Sequence, residues 1–143
     1  MPTFRHGKST YFGLATSNAS DTIVAISTVL RSVGFPRTID MAETTAFGSS
    51  VKTFVPGITA ATFTIQGMFD ATTMTQIEQF IGTTGLTGAG PAFSYGPEGS
   101  TASQVKYTGF ALLSAVNITG SVADMVQANV DFQINSAITR TTF

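Results

Sequence analysis

The chain has 143 residues, enough for one domain that buries its own hydrophobic core. It has no cysteine, which excludes both a disulfide framework and a thiolate metal site. The formal net charge is −1, and only 10% of the residues are Asp, Glu, Lys or Arg, against roughly 25% in ordinary globular domains. This balance speaks against nonspecific nucleic-acid binding, which needs clustered Lys and Arg.

The low charge content has two explanations. One is a Thr-rich all-β protein with a neutral surface. The other is a surface that neighbouring subunits cover, because charged residues are depleted from the centres of interfaces. We favour the second, since a net charge near zero promotes association.

The N-terminal sequence has no apolar run long enough for a signal peptide, and no run in the chain approaches the length of a membrane span. We therefore expect intracellular synthesis and no membrane partner.

Residues 1–20 are predicted to form an extended N-terminal arm, and residues 21–143 a single β domain. The arm is mostly polar, and segments of this kind are often ordered only by a partner. The arm residues expected to make such contacts are Phe4, Arg5, Tyr11 and Phe12.

A β-branched run over residues 22–30 predicts a first strand, and two period-2 patterns follow it. One alternates from Val33 to Met41 and the other from Ala61 to Gly67, so each places a row of side chains on one buried face. The loop between them, over about residues 42–57, is too long for a tight hairpin turn. It carries the apolar residues Phe47 and Phe54, and a long loop with apolar tips usually makes a contact.

One α-helix is predicted over about residues 70–82. Asp70 or Thr72 can cap its N-terminus, and Gly82 stands where a left-handed C-cap would lie. An apolar stripe at helical spacing would cover the sheet. It consists of Met74, Ile77, Phe80 and Ile81.

The remaining pattern is again typical of strands. A short strand is predicted over residues 93–95 and a long one over residues 105–119, bent near Gly109. From Val126 to Ile134, apolar and polar residues alternate without a break, which predicts a half-buried strand. The fold class is therefore mainly β: a β-sandwich or barrel of antiparallel strands with one flanking helix.

No arrangement of residues indicates catalysis. His6 is the only histidine and lies on the predicted arm, where nothing would hold it as a general base. The acidic pair Asp40 and Glu43 is not accompanied by an aromatic sugar platform. The sequence has no cluster of His or Cys residues that could bind a metal ion. The Gly-rich segment over residues 82–91 does not have the spacing of a phosphate-binding loop. We name no catalytic, cofactor-binding or metal-binding residue and expect no enzyme.

One long block of the sequence resembles a known family. The motifs are Glu-Thr-Thr-x-Phe-Gly from Glu43, Lys-Thr-Phe-x-Pro-Gly from Lys52, and a strand that ends in Gly67-Met68-Phe69-Asp70 before the helix. With the closing strands over residues 107–140, this block resembles the tail tube (major tail) proteins of long-tailed bacteriophages. The resemblance implies a β-sandwich or barrel that assembles into hexameric rings, which stack into a hollow tube for DNA.

The resemblance also implies roles for particular residues. The loop from Glu43 to Phe54 would contact the next ring, with the Phe47 and Phe54 rings packing into it and Glu43 and Lys52 forming ion pairs that set register. The alternative is that both rings fold back on their own core. The implied interface residues are Glu43, Thr44, Thr45, Phe47, Lys52, Thr53 and Phe54.

By the same resemblance, the polar row of the last long strand would face the lumen. The wall of a DNA conduit should not bind phosphates tightly. Neutral amides bind phosphates weakly, whereas Lys or Arg would bind them strongly. The alternative is an ordinary solvent-facing row. The residues concerned are Gln127, Asn129, Asp131 and Gln133.

The partners implied are copies of the chain itself and other tail proteins: the tape measure, the tail terminator and the baseplate. DNA would be a partner only in transit. The protein would be made in the host cytoplasm and located in the virion tail. Alternatives are a head decoration or neck protein, a receptor- or carbohydrate-binding β-module, and a small hydrolase.

Overall fold

The computed structural model describes residues 6–17, 20–83 and 90–143. Within these ranges the chain forms nine strands and one α-helix, α1, together with two short 3-10 helices. The elements are β1 (Tyr11–Ser17), β2 (Ser20–Ala25), β3 (Leu30–Gly34), β4 (Arg37–Glu43), β5 (Phe54–Met68), α1 (Ala71–Glu78), β6 (Ala92–Gly96), β7 (Val105–Ser121), β8 (Asp124–Ile134) and β9 (Thr139–Thr142).

The strands form one antiparallel sheet that folds over itself. Its order is β2-β1-β6-β7-β8-β5-β3, with β4 added on β5 and β9 on β7, and within the described residues it does not close into a ring. The 17-residue strand β7 belongs to both layers. Its first part pairs with β6 and β9, and its second part pairs with β8. The predicted antiparallel β-sandwich with one helix is confirmed.

Aromatic rings fill the space between the two layers. Phe63 of β5 lies 5.1 Å from Phe12 of β1 and 5.0 Å from Phe93 of β6, measured between ring centroids. It also stacks on Phe132 of β8 at 4.6 Å. All four side chains are fully buried, so this cluster joins four strands from both layers through the largest apolar groups of the core.

Strand β8 matches its predicted alternation from Ala128 onward, whereas Val126, the first residue of the predicted apolar row, is exposed. Ala128, Val130, Phe132 and Ile134 are buried, and the polar residues between them point to the opposite face. Period-2 patterning predicts this arrangement because successive side chains leave a strand on opposite sides.

The helix begins where the sequence predicts. The Asp70 carboxylate accepts hydrogen bonds from the Thr73 backbone N–H and hydroxyl, at 2.9 and 3.0 Å. These bonds to the charged form lower the pKa of Asp70. The helix ends at Glu78, earlier than predicted, and Gly82 lies beyond it with a φ of +72°. Ile81 is exposed, so its predicted place in the buried stripe is wrong.

The predicted N-terminal arm is wrong from Tyr11 onward. Residues 11–17 form β1 in the middle of one layer, paired with β2 and β6. Phe12 is only 1% exposed in the core, and the Tyr11 ring packs against Phe143 at 5.3 Å. The pairing with β6, over eighty residues away in the chain, decides this placement, and local composition does not reveal it. Phe4 and Arg5 lie outside the described residues.

The strand predicted from Val33 to Met41 is two strands, β3 and β4, that both pair with β5. The break falls at Phe35 and Pro36, because proline has no N–H for a ladder and restricts the residue before it. The loop predicted over residues 42–57 is also shorter. It covers residues 44–53, and the residues beside it are paired in β4 and β5.

Candidate assembly surfaces

The first candidate surface is the hairpin made of β4, the loop over residues 44–53 and the first part of β5, here called the β4–β5 hairpin. Strand β4 and residues 54–60 of β5 are exposed throughout. From Ala61 to the loop the hairpin extends about 23 Å at the usual rise per residue. A two-stranded hairpin that packs on nothing is marginally stable in water.

Large apolar side chains are exposed along this hairpin. They are Ile39, Met41, Phe47, Val51, Phe54, Val55 and Ile58. So many apolar groups on one projecting element exceed the scattered apolar residues of an ordinary surface, and contiguous exposed apolar area marks interaction sites. The alternation at Ile39 and Met41 predicts a buried face, and this prediction is wrong because both side chains are exposed.

The loop of the hairpin is shaped by its own polar groups. The Thr44 N–H donates to the Thr53 carbonyl at 2.8 Å, and the Thr53 N–H donates to the Thr45 hydroxyl at 3.0 Å. Phe47 is fully exposed and Phe54 is 52% exposed. Neither ring packs in its own core, so the alternative that they fold back is wrong.

The two predicted charges of this surface lie at the same end of the hairpin. Glu43 ends β4 opposite Phe54, and Lys52 lies in the loop. Both are exposed. Every residue predicted as an interface residue of this loop is thus brought together at one projecting tip.

The second candidate surface is the outer face of β5, β8 and the second part of β7, here called the polar sheet face. Asn129 lies between Gln66 and Asn117 on the neighbouring strands, and Asp131 lies between Thr64 and Ala115. The structure brings the whole predicted polar row onto this one face. Asp131 is the only charged side chain that the described parts of these three strands place on it.

Two amides of the polar sheet face differ in their bonding. Gln133 donates from Nε2 to the Ala61 carbonyl at 3.0 Å, which fixes it at the edge of the row. The Oδ1 atom of Asn129 is buried and accepts no hydrogen bond within the described structure. A row of neutral amides with one carboxylate carries no positive charge that would attract phosphate.

The other residues considered from the sequence lie elsewhere. The His6 Nδ1 accepts a hydrogen bond from the Lys8 N–H at 3.1 Å, so it caps a short 3-10 helix. Tyr95 lies in β6 and Tyr107 in β7, and both rings pack against Phe35 at 5.6 and 5.8 Å. Burial, with Tyr107 nearby, raises the pKa of Tyr95. These rings therefore do not form an open aromatic platform.

Across the described ranges, no three His, Asp or Glu side chains come close enough to hold a metal ion. A separate finding concerns helices: in the same ranges none has the length and hydropathy to cross a membrane.

Comparison with known proteins finds similarity in structure alone. No family model matches the chain, and no curated protein matches it. The tail of an empty gene transfer agent particle with C6 symmetry is similar with a TM-score of 0.78 and 17% identity, over 96% of this chain and 99% of that one. The SPP1 tail tube is similar with a TM-score of 0.76 and 11% identity, over 98% of this chain and 80% of that one.

A third similar structure is the anti-feeding prophage baseplate, with a TM-score of 0.72 and 10% identity, over 99% of this chain and 97% of that one. The similarity extends over nearly the whole chain in each case. This chain therefore has the fold that occurs in these tail, tail tube and baseplate structures.

Proposed function

We propose that this protein is a structural virion protein that assembles into stacked rings and forms a hollow tail tube through which DNA is delivered. The observation that carries the proposal is the projecting β4–β5 hairpin, whose apolar residues the described parts of the chain leave exposed. The fold shared with the SPP1 tail tube supports it. Hexameric rings follow the C6 symmetry of the similar gene transfer agent tail.

In this proposal the end of the hairpin contacts the next ring. Phe47 and Phe54 supply the apolar contact, because both rings are available there. Glu43 and Lys52 set the register between stacked rings. Charged pairs across an interface contribute more to register and specificity than to affinity. Thr44, Thr45 and Thr53 hold the loop in the shape that presents them.

The polar sheet face lines the lumen in this proposal, with Gln127, Asn129, Asp131 and Gln133 toward the DNA. Its near-neutral amide surface suits a conduit, because each Lys or Arg on it would bind phosphate and slow the DNA. The protein carries out no catalysis and needs no cofactor.

Further contacts connect the tube to the rest of the tail. The baseplate, the tail terminator and the tape measure are the proposed partners, and the virion tail is the proposed location. Similarity to an anti-feeding prophage baseplate structure supports the first of these. Phe4 and Arg5 remain proposed contact residues, whereas Tyr11 and Phe12 serve the fold of their own chain.

The test of assembly is electron microscopy of the purified protein at rising concentration, with its mass measured in solution. Rings or hollow tubes are the expected result. A monomer that never assembles at any concentration would reject a tube subunit and favour a decoration protein, which needs a capsid lattice.

The test of the lumen assignment places lysine at two positions, Asn129→Lys with Gln133→Lys, in phage that carry the change. We expect tubes of normal length and strongly reduced DNA delivery, measured as infectivity per particle. The matched control is Thr139→Lys with Thr141→Lys on the exposed edge strand β9. Normal delivery by the first variant would contradict the lumenal position.

A further inference from the structure

The turn between β7 and β8 forms an exposed apolar tip at one end of the molecule. This β7–β8 tip comprises residues 118–126. Val122 is fully exposed at the turn, and Met125 is 66% exposed beside it. Ile118 and Val126 are nearly half exposed, and Asp124 is the only charged residue of the tip. Valine at an exposed turn between two strands is unusual, since turns favour polar residues and glycine.

A cleft of about 440 Å³ opens at the base of the β4–β5 hairpin, between the hairpin and the segment that follows β8. Its apolar lining includes Ile39, Ala60, Ile134 and Ile138. Among the described residues that line it, Arg37 is the only charged one. This hairpin-base cleft has the size to receive a few apolar side chains, and the described residues 6–17, 20–83 and 90–143 leave it open.

The Arg37 side chain is held in place at the cleft. Its guanidinium carbon lies 5.3 Å from the centre of the Tyr107 ring and 5.6 Å from that of Phe35. Such stacking orients a guanidinium without neutralising it. Among the described residues, neither Arg37 nor Asp124 forms an ion pair, so each charge is available to a partner.

The tip and the cleft lie at opposite ends of the same strand. Asp124 begins β8 and Ile134 ends it, eleven residues in all, which separates the two features by about 33 Å. One chain therefore cannot fill its own cleft with its own tip. A contact between them must join two copies head to tail, and a heterologous contact of this kind continues without limit unless it closes into a ring.

We propose that the β7–β8 tip of one copy inserts into the hairpin-base cleft of the next copy along the tube, with Asp124 paired to Arg37. Val122 and Met125 pack against Ile39 and Ile138 of the neighbour. This inference rests on the proposed tube. The β4–β5 hairpin projects from the cleft end of the molecule. In this arrangement it lies against the neighbouring copy.

The first test uses cysteine cross-linking, because the chain has no cysteine of its own. Val122→Cys and Ala137→Cys are combined in one chain, assembled, and treated with a short bis-maleimide. We expect a ladder of covalent oligomers in denaturing gels. The matched control combines Val122→Cys with Thr141→Cys on β9, outside the cleft lining, and should give no ladder.

The second test exchanges the charges. Asp124→Arg alone and Arg37→Asp alone should each raise the critical concentration for assembly about tenfold or more, since each places like charges together. The double variant, which restores an opposite-charge pair, should bring the critical concentration most of the way back to that of the unaltered protein. Glu78→Arg, on the exposed side of the helix, is the matched control and should assemble normally. Circular dichroism verifies that each variant is folded.

The outcomes separate this inference from the proposed function. Absence of rings or tubes from the unaltered protein would reject the tube itself. Normal tubes without a ladder, or single charge variants that assemble as well as the unaltered protein, would reject the tip-to-cleft contact and leave the tube standing.

Discussion

Asp70 caps the helix with a carboxylate that accepts two hydrogen bonds from Thr73. Both bonds favour the charged form, which is why the pKa of Asp70 lies below its usual value. A carboxyl group whose pKa is lower in the folded state contributes stability above its unfolded pKa, about 3.9. That contribution disappears as the pH falls through the folded pKa.

We therefore expect Asp70→Asn to lose less stability than the unaltered protein between pH 7 and pH 3, because asparagine caps without titrating. Asp70→Ala should lower the melting temperature by a few degrees at pH 7, since the helix loses its cap. Thermal unfolding of dilute, unassembled protein at both pH values measures these effects. An equal acid-induced loss in Asp70→Asn and the unaltered protein would contradict the assignment.

Phe63 occupies the centre of the aromatic cluster between the layers. Replacing it with alanine should lower the free energy of unfolding by about 3–5 kcal/mol, because the change removes apolar contacts and leaves a cavity. Urea denaturation of the monomer measures the loss. Phe47→Ala is the matched control: its ring is fully exposed, so monomer stability should barely change while assembly weakens.

Strand β8 and the start of the helix could be predicted from the sequence, because neighbouring residues alone determine their alternation and capping. Strand β8 alternates from Ala128 to Ile134, and Asp70 marks the start of the helix, although the helix ends at Glu78 and not at the predicted Gly82. Strand β1 could not be recognised this way. Its identity depends on pairing with β2 and β6, and a short segment within a mostly polar N-terminal region does not reveal a distant pairing partner.

The hairpin illustrates a different limit. Ile39 and Met41 have the alternation of a buried strand, yet both are exposed. Pattern predicts that apolar side chains will be covered, but it does not tell whether their own chain or another copy covers them. The sequence therefore pointed to the exposed loop whose residues we propose as interface residues. The apolar sides of the hairpin, the hairpin-base cleft and Val122 required the three-dimensional arrangement.

Shortening the hairpin tests its role as an element. Replacing residues 44–53 with Asn-Gly keeps the Glu43–Phe54 pairing and supplies a tight turn. We expect a folded monomer with nearly unchanged stability that no longer forms tubes, observed by electron microscopy and sedimentation. Phe47→Ser with Phe54→Ser, which leaves the loop length intact, should weaken assembly in the same direction. Normal tubes from both variants would contradict the hairpin contact.

Across the whole molecule, charge is sparse and apolar groups are exposed at both ends, on the β4–β5 hairpin and on the β7–β8 tip. Assembly of such a surface should be driven mainly by apolar burial, with a small contribution from charge pairs. Apolar burial is favoured by entropy near room temperature and weakens on cooling.

We expect the critical concentration for assembly to fall on warming from about 5 to about 25 °C, and to change little with sodium chloride, because screening acts on few charges. Sedimentation of assembled protein at several temperatures and salt concentrations measures both trends. Tubes that dissolve at moderate salt would indicate an interface dominated by ion pairs. Tubes that dissolve on warming would contradict apolar burial as the main driving force.

Strand β5 has a mechanical consequence. It is one continuous strand of 15 residues that begins in the projecting hairpin and ends between β3 and β8, paired with β8 over Thr62–Met68. A pull on the hairpin along the strand would load this pairing in shear, because antiparallel hydrogen bonds lie perpendicular to the strands. All of those bonds would resist together instead of opening one at a time, so the chain transmits tension lengthwise through its own core.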